Sequence, residues 1–175
     1  PFFASITAGI NDRLIDTDYI LNLIIASDDP EGKTASFLRS GAIDGAIVVS
    51  HHTSDAFLDR IVTSVPVVFG GRPLRERAAA HFVDVDNAAG SRRATEHLIG
   101  RGRKHIATIT GPLTMAVAVD RLQGFRSAVA DAGLAVAGEV DGDFTEAGGA
   151  AAMEKLLALG VPIDALHVQS DLMAK

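Results

Sequence analysis

Short, almost wholly apolar runs alternate with longer amphipathic stretches along this chain, and that alternation restricts its fold more than any other feature. The runs Tyr19 to Ile25, Ile43 to Val49, Val65 to Phe69, Phe82 to Val85, His105 to Thr110 and Ala165 to Val168 have strand length. A strand half-exposed to water alternates apolar and polar residues, whereas a strand buried on both faces does not. These runs are therefore expected in parallel sheets covered by helices on both sides. Phe2 to Ile15, Thr34 to Arg39, Asp55 to Thr63, Ala88 to Arg101, Arg121 to Ala132 and Ala147 to Leu159 supply the helices, giving βαβ order throughout.

Local punctuation supports that order. Asp86-Asn87 offers an Asx N-cap ahead of AAGSRRATEHL, and Gly102 follows the last turn where a left-handed residue ends a helix. Gly41, Gly133 and Gly160 stand at equivalent stops. The Arg-rich stretch Arg72 to Ala80 is the least periodic and reads as a junction between lobes.

With 175 residues, 47% of them hydrophobic, the chain can bury a sizeable core without staples. It has no cysteine, which removes disulfides, thiolate nucleophiles and Cys-based metal sites. Its 16 basic and 22 acidic residues leave a formal charge of −6, the wrong sign for gripping nucleic acid through its phosphates. DNA contact is thus expected to lie outside these residues. No run approaches the roughly 20 apolar residues of a membrane span. The opening PFFASITAGI has neither an initiator Met nor a basic region and reads as an interior cut.

Enzyme signatures are missing from the sequence: there is no GxGxxG after a strand, no phosphate loop, no GxSxG elbow and no HExxH. His51-His52 lacks a third metal ligand at sensible spacing, so neither a metal nor a cofactor is expected. The run Arg101 to His105 reads as cations complementing a helix C-terminus.

An ordered series of segments carries more information. DxDNxxG (Asp84 to Gly90), EHLxxxGRxxIAxITGP (Glu96 to Pro112), DRLxGFxxAxxxAGL (Asp120 to Leu134), GDFTxxGGxxAMxxLL (Gly142 to Leu157) and SDxMA (Ser170 to Ala174) resemble a LacI/GalR-type bacterial transcriptional regulator. PFFxxIxxGI, IDGAIVVS and PVVxxGR fit the same family in order, so the resemblance spans the chain. It implies an α/β fold of the type I periplasmic-binding-protein class, with two Rossmann-like lobes of parallel sheet, incomplete at both ends. The expected lobes are 1–85 and a truncated 86–175, with the helix-turn-helix domain absent from this chain. The family implies a cytoplasmic homodimer that binds a small effector, a sugar or related metabolite, between its lobes and operator DNA through that absent domain.

The resemblance also points to residues. Arg121 matches the arginine that holds effector oxygens, a task suited to a planar fork of donors. On the residues alone, a surface pair with Asp120 at the start of a helix is the simpler reading. Phe144, Phe2 and Phe3 match cleft-lining positions where a ring packs on the C–H face of a sugar or on a base; their alternative is ordinary core packing. Ser170 and Asp171 follow a strand, where open α/β sheets place ligands, and they equally suit an N-cap. Asp86 and Asn87 read chiefly as capping and junction residues. Many relatives carry an acidic residue where Gly71 stands here, and Met115 and Val117 occupy positions that are polar in some members.

Effector sensing is the leading expectation. A transport-type periplasmic sugar-binding protein shares the fold. An enzyme using Asp171 or Asp86 as base is disfavoured because no nucleophile, base and orienter come together.

Overall fold

The apolar runs form two separate parallel sheets in the computed structural model, which describes residues 2–25, 32–52, 65–73 and 81–175. Helices α1 (Phe2–Leu14) and α2 (Lys33–Leu38) precede β1 (Ala46–Val49), β2 (Val67–Gly70) and β3 (His81–Val83), which pair in the order β1-β2-β3. Then come α3 (Asn87–Gly100), β4 (Ile106–Thr110), α4 (Ala116–Asp131), β5 (Gly138–Asp141), α5 (Glu146–Ala158) and β6 (Ala165–Val168). Their strands pair in the order β5-β4-β6. All pairings are parallel.

In the second sheet, β4 shows why its sequence lacks polar alternation. Every one of its residues is buried. Ala107 and Ile109 pack on one face against Ala152 and Leu156 of α5 and against Met173, while Ile106 packs on the other against Leu122, Phe125 and Val129 of α4. Fully burying a side chain such as Leu156 or Ile109 contributes about 1.5–3 kcal/mol. The first sheet is built around Val67 and Phe69 of its central strand, with Leu38 of α2 closing over them.

Helices α3 and α4 cross closely. Gly124 permits it, because a Cβ there would overlap the backbone carbonyl of Ala88. That contact fixes the position of Arg121, one turn earlier on α4. Asp86 caps α3 by accepting from Ala89 N at 2.9 Å, as its place before the helix predicts. Gly102 and Gly133 follow α3 and α4 with φ of 82° and 67°, also as expected.

Some elements differ from expectation. Tyr19 to Ile25 forms no strand: among the described residues β1 pairs only with β2, so this run has no ladder partner, and Ile20 and Ile25 are exposed. β5 was not expected, because Glu139 and Asp141 interrupt its apolar pattern; it is tolerated as a strand paired on one side, with β4. Helix α4 begins at Ala116 without a side-chain cap, which hides its start in the sequence and puts Arg121 in its second turn rather than at its beginning. The helix expected over Asp55 to Thr63 and most of the stretch Arg72 to Ala80 lie outside the described residues.

Candidate functional site

Parallel strands finish at one edge of a sheet, so the segments that follow them are delivered together. Thr110 pairs with Asp141 and Ile109 with Val168, which brings Gly111, Phe144 and Gln169 to Asp171 to the carboxyl edge of the second sheet. In the first sheet the same edge carries His51 and His52 after β1, and Gly71 and Arg72 after β2. These two edges face one another. His52 Nδ1 lies 2.8 Å from Thr114 Oγ1, and Arg72 Nη2 donates to Asp120 Oδ1 at 2.6 Å. The carboxyl ends of both sheets thus meet across these two contacts.

Arg121 lies beside this junction, partly buried, and it does not pair with Asp120. The Asp120 carboxylate is taken by Arg72, whose guanidinium pKa is raised by that hydrogen bond. Arg121 instead donates from Nε to Asn87 Oδ1 at 3.0 Å and from Nη1 to the Gln169 carbonyl at 2.6 Å. Both acceptors are neutral. Burial pushes the Arg121 pKa down, opposed by the charges of Asp84 and Asp171. A guanidinium in this setting gains from any further oxygen that accepts from it.

Its acceptor Asn87 is itself fixed, donating from Nδ2 to Asp84 Oδ1 at 3.0 Å and to the Val85 carbonyl at 3.2 Å. Asp84 Oδ2 in turn accepts from Arg72 N at 2.7 Å. On the other side, Gln169 Oε1 accepts from Gly111 N at 2.9 Å and Gln169 Nε2 donates to the Ala118 carbonyl at 3.1 Å. The polar chain thus runs from the end of β2, through Asp84, Asn87, Arg121 and Gln169, to the end of β4.

Phe144 has φ of 66°, a left-handed conformation costing a bulky residue about 1–3 kcal/mol, and such strain concentrates at binding sites. Its ring lies against Gly111, where any Cβ would overlap it, and it packs at the margin of the α5-side core. Ser50, at the end of β1, is the other non-glycine residue with positive φ among the described residues. Ser170 Oγ accepts from Met173 N at 3.3 Å, the capping role open to it from sequence, while Asp171 is exposed beside it. Both stand at the carboxyl edge with Arg121 and Phe144.

Phe2 and Phe3 pack on one another. They lie on α1, 65% and 56% exposed, edge-to-face with centroids 5.3 Å apart, and α1 has no buried residue.

The sequence reading passes over Gln169 and His167 and gives Asn87 a capping and junction role rather than one in the site. The available signal was a polar residue inside or just beyond an otherwise apolar strand. His167 is buried, stacked on Phe125 at 5.3 Å, with Nε2 3.1 Å from Ser91 Oγ and Nδ1 3.1 Å from Thr108 Oγ1. Burial first, and then the charge of Arg121, push its imidazole pKa down to about 4. Arg121 also borders an open hollow of about 460 Å³ between α3 and β6, lined by Ser91, Arg93, Ala94 and Val168 among others. Asn87, Arg121, His167 and Gln169 line it as well, whereas Gly111 and Phe144 do not. Among the described residues, no group of three or more His, Cys, Asp or Glu is placed to hold a metal ion, and no helix is long and apolar enough to cross a membrane.

A family profile described as periplasmic binding proteins and sugar binding domain of LacI family matches residues 1–175. The chain is 37% identical to the HTH-type transcriptional regulator CelR of Thermobifida fusca, over 99% of this chain and 52% of that protein. It is 29% identical to the ribose operon repressor of Escherichia coli K12, over 99% of this chain and 54% of the relative. The chain thus spans about half the length of the curated relatives it matches. A solved CelR–cellobiose complex superposes with a TM-score of 0.91 at 36% identity, covering 99% of this chain and 54% of that one.

Proposed function

We infer, from the fact that this chain belongs to the family of periplasmic binding proteins and LacI sugar-binding domains, that it is the effector-sensing part of a DNA-binding transcription regulator. The named relatives are transcription regulators, which supports this reading over a transport-type sugar-binding protein and over an enzyme. Residues 1–85 and 86–175 are the two lobes, a division supported by two sheets that share no strand and by the helix cap at Asp86.

The observation that carries the site is Arg121: a partly buried guanidinium at the carboxyl edge, held by neutral oxygens while its neighbour Asp120 is occupied by Arg72. Sugar hydroxyls accept from such a group. Phe144 offers a ring for the C–H face of the sugar, Ser170 and Asp171 hydrogen-bond its rim, and Phe2 and Phe3 reach it from the first lobe. Cellobiose is the first sugar to test, given the likeness to the CelR–cellobiose complex.

Sensing needs an effector that binds two lobe arrangements unequally. The contacts of Arg72 with Asp120 and of His52 with Thr114 are where such arrangements differ. The readout passes through a homodimer to helix-turn-helix domains outside this chain and on to operator DNA, in the cytoplasm. The intact protein should shift operator DNA in a gel, with the shift changed by cellobiose or a related sugar. DNA binding indifferent to every sugar tested would overturn the reading. Arg121→Ala should weaken sugar binding by about tenfold to a hundredfold, the worth of a hydrogen bond to a charged group.

A further inference from the structure

Asn87 and Ser91 lie one turn apart on the same face of α3 and hold opposite ends of one residue. Asn87 Oδ1 accepts from Arg121 Nε, while Ser91 Oγ donates to the Arg121 backbone carbonyl at 2.5 Å. A serine hydroxyl has a single proton. Since that proton goes to the Arg121 carbonyl, the 3.1 Å contact between Ser91 Oγ and His167 Nε2 must be donated by the imidazole. His167 therefore carries its proton on Nε2. Its Nδ1 then accepts from the Thr108 hydroxyl at 3.1 Å.

Each proton in the series Thr108, His167, Ser91, Arg121 thus has one direction, starting in the central strand and ending on α4. Thr108, His167 and Ser91 are all buried, with Ser91 and His167 bordering the hollow between α3 and β6. β6 and the residue just beyond it both contribute: the His167 side chain meets Ser91 Oγ, and two residues on, the Gln169 carbonyl takes Arg121 Nη1.

We propose that Ser91 and His167 are positioning residues for the Arg121 guanidinium. They fix the α4 backbone from which the side chain departs, while Asn87 and Gln169 fix its far end, so its donors meet a ligand in one orientation. This rests on reading Arg121 as the effector contact. A buried polar pair serving only the fold would affect stability without affecting the order of the guanidinium.

The test is nitrogen NMR of the intact protein together with calorimetric titration of cellobiose. In the wild type, the His167 ring shifts should report the Nε2–H tautomer and Arg121 Nε–H should exchange slowly. Ser91→Ala should speed that exchange and weaken cellobiose binding, each about tenfold, the scale of one lost hydrogen bond. Ser91→Thr, which keeps the hydroxyl, should restore both. In an Arg121→Lys background, Ser91→Ala should cause no further loss of affinity. An Nδ1–H tautomer, or unchanged Arg121 Nε–H exchange in Ser91→Ala, would overturn the proposal. If Ser91→Ala does not fold, Thr108→Val makes the same test from the other end of the series, with the same expected loss of Arg121 order. A wild type that binds no sugar would sink the effector reading, while the ligand-free NMR comparison still decides the positioning role.

Discussion

Mild acid should weaken this fold through a single buried imidazole. His167 titrates at about 4 in the folded protein, against 6.5 as its ordinary value, because burial and the neighbouring Arg121 disfavour the imidazolium. Between those two values the unfolded chain binds the proton and the folded one does not, so stability falls as the pH falls. The loss begins as pH drops through about 6.5, reaches about 2 kcal/mol at pH 5 and levels off near 3 kcal/mol below pH 4. Asp143, held low by hydrogen bonds from Thr145, and Asp164, held low by the Lys104 amide, add losses of their own at more acid pH. The assay is therefore a difference. Urea unfolding of the intact protein and of His167→Gln, which keeps hydrogen-bonding capacity but does not titrate, is followed from pH 7.5 to 5. The wild type should lose about 2 kcal/mol more than the variant over that range. Parallel pH profiles for the two proteins would refute the burial argument.

Other substitutions probe separate contacts. Gly111→Ala drives a methyl group into the Phe144 ring and should cost about 1–3 kcal/mol in urea unfolding while also weakening sugar binding, because the ring must leave its place. Gly124→Ala forces α4 away from the Ala88 carbonyl, so it should lower the melting temperature at least as much and disturb Arg121 one turn away. Asp120→Asn removes the Arg72 ion pair; with side chains 39% and 21% exposed, the stability lost should stay below about 1 kcal/mol and shrink in high salt, as measured by unfolding at two ionic strengths.

The sheets were legible in the sequence where burial decides the pattern. β4, β6 and the central strand of the first sheet are apolar because helices or neighbouring strands cover them, and the caps at Asp86 and Gly102 act where their residue types predict. β5 was illegible because a strand paired on one side tolerates Glu139 and Asp141. Tyr19 to Ile25 has the composition of a strand but joins no ladder among the described residues. At the site, Arg121 was recognisable through its segment, but its partners were not. They come from residues 34 and 48 positions away in sequence, and no local pattern shows that Asp120 turns toward Arg72 while Arg121 turns toward Asn87 and Gln169.

The central claim is that a sugar lies between the carboxyl edges of the two sheets and is held by Arg121. The most direct measurement is a crystal structure of the intact protein grown with cellobiose, or with whichever sugar alters its DNA binding. The account predicts sugar hydroxyls within hydrogen-bond distance of the Arg121 guanidinium and the sugar ring against Phe144. A sugar seated elsewhere, in the hollow between α3 and β6 for instance, with Arg121 still bonded only to Asn87 and Gln169, would contradict it.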